Sequence, residues 1–112
     1  MNDDRRRLDD ILAAVDDAGL IVRGGRTAFD ADPLVVRAAK NIVTEIGEAT
    51  KALSTATTEA ISEVPWRALA GMRDRTIHRY PEVDLDVLWD TMEHDLPHLA
   101  RQIRLHLDHA DL

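Results

Sequence analysis

The chain contains no cysteine, so neither a disulfide framework nor a thiolate site is available to it. No apolar run approaches the length that spans a bilayer. The opening residues, Met1-Asn2-Asp3-Asp4, do not begin a signal peptide, and the expected location is cytoplasmic. No stretch alternates apolar and polar residues long enough to make a strand, and nothing repeats internally. Positive charge is also scarce overall. The formal net charge is −7, which argues against non-specific nucleic-acid binding by the whole surface.

What remains is helical. At 112 residues the chain is expected to form one domain, 1–112, with a modest core. Leu8, Ile11, Leu12, Val15 and Ala18 make one stripe, with Asp9, Asp10, Asp16 and Asp17 outside it. That helix is expected to start near Asp3 or Asp4 and stop at Gly19. Arg5-Arg6-Arg7 sits among aspartates and reads as a solvated, self-paired face. Gly24-Gly25 reads as a turn. It lacks the lysine of a phosphate loop and no helix is expected directly after it, so no ligand is assigned to it.

Asp32-Pro33 marks a second start, with Asp as the cap and Pro at the first helical position. Val35, Ala39, Ile42, Ile46, Ala49 and Leu53 then alternate steps of four and three, the seam of a central helix. Gly47 within it points to a close helix contact. Ser54 to Ser62 reads as a helix end and loop, and a third helix starts at Pro65. Asp84 can cap a fourth, in which Leu85, Trp89, Met92, Leu96, Leu99, Ile103 and His106 keep the same rhythm. Pro97 interrupts it, so a kink or a restart into a fifth segment is expected there. The fold class is an all-α, up-and-down bundle of four main helices, five if Pro97 splits the last. Its apolar seams exceed what a small monomeric bundle needs, which leaves a helix face for a partner.

Against the acidic background, Trp66 to Tyr80 carries Arg67, Arg73, Arg75 and Arg79 with only Asp74 opposing them. Tyr80 precedes Pro81 and should be extended, because that position disfavours the α region. His78 then falls in or just past the last helical turn, where the helix dipole and Asp74, one turn earlier, both favour an imidazolium. Arg73 lies about 140° round and about 7.5 Å along an ideal helix from His78. The two converge only if the helix unwinds at His78 or the arginine side chain curls round. Charged residues at a helix end are by themselves more often a solvated cap than a site.

Arg73 to Tyr80 reads Arg-x4-His-x-Tyr, and this motif resembles the HepT-type toxins of the HEPN superfamily of small helical ribonucleases. Ile46-Gly47-Glu48-Ala49, Pro65-Trp66-Arg67, Val83-Asp84-Leu85, Trp89 and Asp95-Leu96-Pro97 extend the likeness from about residue 30 onward. Asp74 stands where asparagine is common in that family, and Arg79 where many members have glycine. The resemblance implies a HEPN-like bundle and a metal-independent endoribonuclease, with Arg73 and His78 catalytic and Asp74 orienting or tuning His78. Arg75 and Arg79 would contact RNA. It also implies a homodimer whose two motifs face a shared cleft. The expected partner is a minimal nucleotidyltransferase antitoxin of the MntA kind, which would transfer AMP to Tyr80.

No cofactor and no metal is expected. Glu45 and Glu48 could serve as acid, base or ligand, but they read as a wet face with Lys51 near enough to pair. His94 and His98, and His106 and His109, have metal-compatible spacing but no third ligand in view. The competing reading of the whole chain is a non-catalytic helical adaptor, or a nucleotide-binding partner subunit of a nucleotidyltransferase.

Overall fold

The computed structural model describes residues 2–73 and 84–110, with side chains at 3–71 and 84–109. Among the described residues every regular element is helical. The helices are α1 (Asn2–Arg23), α2 (Arg26–Ala31), α3 (Pro33–Ala52), α4 (Thr55–Ala60), α5 (Trp66–Arg73), α6 (Leu85–Asp90) and α7 (Leu96–Ala110). The all-α class is as read from the sequence. The long arms α1, α3, α5 and α6–α7 correspond to the four expected helices, and α2 and α4 are short additions between them.

Gly19 does not end α1, as had been expected of it. The apolar stripe continues through Ile21 and Val22, both packed against the core, so the helix keeps burying surface past the glycine. The stop comes at Gly24-Gly25. The Gly25 N–H reaches the Val22 carbonyl, and Gly25 takes φ 92°, open to glycine at no steric cost. The chain then reverses through α2, whose Phe29 is fully buried against Trp89 with ring centroids 5.4 Å apart. Asp32 caps α3 as expected, accepting the Leu34 N–H at 2.9 Å with Pro33 behind it.

α3 is the central helix. It packs against α1 on one side and α5 on the other, and buries Ala39, Ile42, Val43, Ile46 and Gly47. A cavity at Ile46 would cost about 2–5 kcal/mol. Leu34 and Ala38 on this helix are exposed. They lie outside the 3.6-residue arc that faces α1 and α5.

The threonine-rich run after α3 is a helix, not a loop. Ser54 caps α4 by accepting the Thr57 N–H at 3.3 Å. Asp4, buried at the start of α1, ties this cap down. It accepts from the Ser54 hydroxyl, from the Thr57 hydroxyl at 2.6 Å and from the Ser54 N–H at 3.2 Å. The start of α1 thus lies beside the end of α3, which sets those two helices antiparallel. Arg104 in α7 lies 3.6 Å from Asp16 of α1, and Asp86 at the start of α6 lies 2.7 Å from Arg26 just beyond α1. Running along α6–α7 therefore means running back along α1.

Asp84 caps α6 as expected, accepting N–H groups from Asp86 and Val87. The interruption expected at Pro97 takes the form of a change of helix type, after which α7 begins at Leu96. Thr91–Asp95 widens into a π-helical turn in which the Leu96 N–H reaches back five residues to the Thr91 carbonyl. Proline has no N–H to continue the ordinary ladder, and the wider turn accommodates that loss. Met92, Leu96, Leu99 and Ile103 all stay buried across this change of helix type.

The hydroxyls of Ser54 and Thr57 hold the Asp4 carboxyl at a pKa of about 2, below its ordinary 3.8. A depressed carboxyl contributes its full stabilisation above the unfolded-state value and loses it as pH falls through the folded value. Asp4→Asn should therefore cost about 1–3 kcal/mol at pH 7, with the gap to wild type closing between about pH 4 and pH 2. Urea unfolding across that range reads it. A gap that stays constant with pH would mean that the carboxylate charge is not what α4 recognises.

Candidate functional site

The motif begins on α5 and the chain returns on α6. α5 is placed from below by Leu69, which is buried, and at its start by Trp66, whose indole N–H donates to the Ile61 carbonyl at 2.9 Å. That bond satisfies the indole where it passes into the core. Arg73 is the last residue of α5, four positions after Leu69, so the first motif arginine stands one turn beyond the residue that anchors its helix on α3. Asp74, Arg75, His78, Arg79 and Tyr80 lie outside the described residues, as does the Arg73 side chain. The fourth arginine of the basic stretch, Arg67, is exposed on α5.

The return is anchored as well. Arg26 donates to Asp30 at 2.8 Å and to Asp86 at 2.7 Å, with its guanidinium carbon 6.0 Å from the centre of the Trp89 ring. The Asp30 and then the Asp86 carboxylates hold its proton more firmly than usual. α2 is thereby pinned across the first turn of α6. Both helices that flank the motif are fixed to the bundle through bonds made outside it.

The other candidates divide. Arg5 pairs with Asp9 at 3.6 Å and Arg7 with Asp4 at 3.9 Å, the self-paired face read from the sequence. Glu45 and Glu48 line an open groove of about 480 Å³ between α1 and α3, together with Asp10, Asp17, Thr44 and a floor of Ala13, Ala14 and Ala49. Four carboxylates at one groove repel a phosphate chain, so this is no place for RNA. His98 faces the Glu63 carbonyl at 3.3 Å. His94 faces carboxylates instead, Glu93 at 3.0 Å and Asp90 at 3.7 Å. Sequence reading paired His94 with His98 and missed this group, although its 90-93-94 spacing was there to be read.

Comparison with known proteins points one way. The family model described as "Ribonuclease HepT-like" matches residues 11–105, most of the chain. The chain is 40% identical over 76 residues to the protein named "Putative RNase TTE0752" from Caldanaerobacter subterraneus, covering 68% of each. It is 46% identical over 54 residues to "Probable ribonuclease HepT" from Thermococcus cleftensis, covering 48% of this chain and 49% of that one. A further relative, "Putative RNase MJ0125" from Methanocaldococcus jannaschii, is 37% identical over 57 residues, 51% of this chain and 49% of its own. No solved structure matches the chain at a significant level.

Proposed function

The chain belongs to the HepT-like ribonuclease family, which places it among the ribonucleases, and from that premise we propose that it is a metal-independent endoribonuclease toxin working through Arg73 and His78. The observation that carries this is the Arg-x4-His-x-Tyr run of Arg73 to Tyr80, opened by an arginine on a helix anchored to the core. RNA brings its own nucleophile. The ribose 2′-hydroxyl attacks phosphorus, the bond to the 5′ oxygen breaks, and a 2′,3′-cyclic phosphate and a 5′-hydroxyl remain. The protein has only to move a proton from the 2′ oxygen, supply one to the 5′ oxygen, and stabilise charge on the phosphoryl oxygens. Imidazole suits the first two tasks and a guanidinium the third. Asp74 orients His78, while Arg75 and Arg79 hold neighbouring phosphates.

Two copies complete the site in this reading, with the motifs facing one cleft. Leu20, Leu34, Val87 and Leu105 are exposed by 61%, 71%, 59% and 52%, apolar surface that an association would cover. Doubling the motif arginines would also offset the acidic remainder locally. Cleavage should persist in excess EDTA and leave cyclic phosphate ends, by a species that light scattering sizes as a dimer. Activity lost on chelation and restored by a divalent ion would overturn the mechanism. A stable monomer would overturn the shared cleft.

The partner we propose is a small nucleotidyltransferase antitoxin that adenylylates Tyr80. The phenol oxygen attacks the α-phosphorus of ATP and pyrophosphate departs. Tyr80 is two residues past His78 and precedes Pro81, a position that disfavours the α region. Each phosphodiester charge added there would compete with substrate for Arg73 and its neighbours. Intact-mass measurement after co-expression should show added AMP, and Tyr80→Phe should remain toxic and unmodified. A silenced but unmodified toxin would mean inhibition by occlusion.

A further inference from the structure

We infer that Asp90, Glu93 and His94 form a binding site for a first-row divalent cation such as zinc, on the outside of the π-helical turn. The inference stands apart from the ribonuclease reading. Each of the three offers one ligand atom, and those atoms all lie within 4.8 Å of one another. The His94 Nε2 atom is 3.0 Å from Glu93 Oε1 and 3.7 Å from Asp90 Oδ1. Ligands held at about 2.0–2.2 Å around a tetrahedral zinc stand about 3.3–3.6 Å apart. Small side-chain rotations therefore close the set on an ion.

The backbone makes this grouping. In an ordinary α-helix, adjacent residues such as 93 and 94 point about 100° apart. Here the two side chains nevertheless meet at 3.0 Å, and Asp90, three and four residues before them, shares their face of the π-helical turn. The turn is held from behind by Thr91 and Met92, both buried, so the three ligands are presented by a backbone that need not rearrange.

Charge supplies the second argument. Among the described residues neither Asp90 nor Glu93 has a lysine or arginine partner, and His94 is the only group facing them. With a neutral imidazole, two carboxylates converge uncompensated. Imidazole with two carboxylates is a donor set that zinc and its neighbours accept, and all three side chains are exposed, leaving the remaining positions to water. A protonated His94 bridging the two carboxylates is the competing account.

Calorimetric titration of the metal-stripped full chain with zinc chloride near neutral pH separates them. One equivalent should bind and raise the melting temperature. Outer-shell partners alone are worth about 10–100-fold in metal affinity, so losing a ligand should weaken binding at least that much. His94→Gln and Asp90→Asn should both show this loss, whereas His98→Gln and His78→Ala should bind as wild type does. No zinc binding by wild type, an unchanged isotherm in His94→Gln, or a loss that follows only His78→Ala would each overturn the inference.

Discussion

The contact on which the rest of the molecule depends is α3 lodged between α1 and α5. Ile46, Val43 and Ala39 are shut off from solvent there, and Gly47 is buried among them. Because the motif arginine Arg73 stands at the end of α5, its position is inherited from this packing and not from anything within the motif. The same dependence holds at the return. α6 is located by its cap at Asp84, by Arg26 reaching from α2, and by Trp89 against Phe29. The Arg-x4-His-x-Tyr motif thus falls in sequence between two helices that the bundle positions through contacts of their own.

Electrostatics work on the same plan. The protein is acidic as a whole, and where the structure gathers carboxylates, as along the groove between α1 and α3, phosphate is repelled. Several arginines elsewhere in the described chain turn to carboxylates of the protein itself. Arg5 and Arg7 turn to neighbouring aspartates, Arg26 bridges two more, and Arg104 reaches Asp16. The arginines of the Trp66–Tyr80 stretch are set apart by sequence alone, with one aspartate among them. A short cationic run in an acidic chain favours a confined anion site over a coating.

Much of this was legible in the residues because local signals agreed with the global packing. Asp32-Pro33 and Asp84 are caps by chemistry, and both cap. The four-and-three rhythm of Ile42, Ile46 and Leu53, and of Met92, Leu96, Leu99 and Ile103, marked residues that are in fact buried. The misreadings came where a distant contact overrode a local cue. Gly19 looks like a stop, yet Ile21 and Val22 have core to cover. Ser54 to Ser62 looks like a loop, yet Asp4, some fifty residues earlier, satisfies its cap. At Pro97 the expected interruption takes the form of a π turn, and what went unread was the grouping of Asp90, Glu93 and His94 beside it. The Arg-x4-His-x-Tyr motif made the family legible, and its geometry lies outside the described residues.

The central claim is that one histidine and one arginine of this motif carry the chemistry of RNA cleavage. Single-turnover cleavage of a defined RNA in EDTA, by wild type beside His78→Ala and Arg73→Ala, tests it most directly. Loss of a general acid–base group is worth about 10²–10⁴-fold. The account predicts a fall of that order for His78→Ala, a comparable fall for Arg73→Ala, and unchanged folding of both as judged by thermal unfolding. Cleavage by folded His78→Ala at the wild-type rate would contradict it.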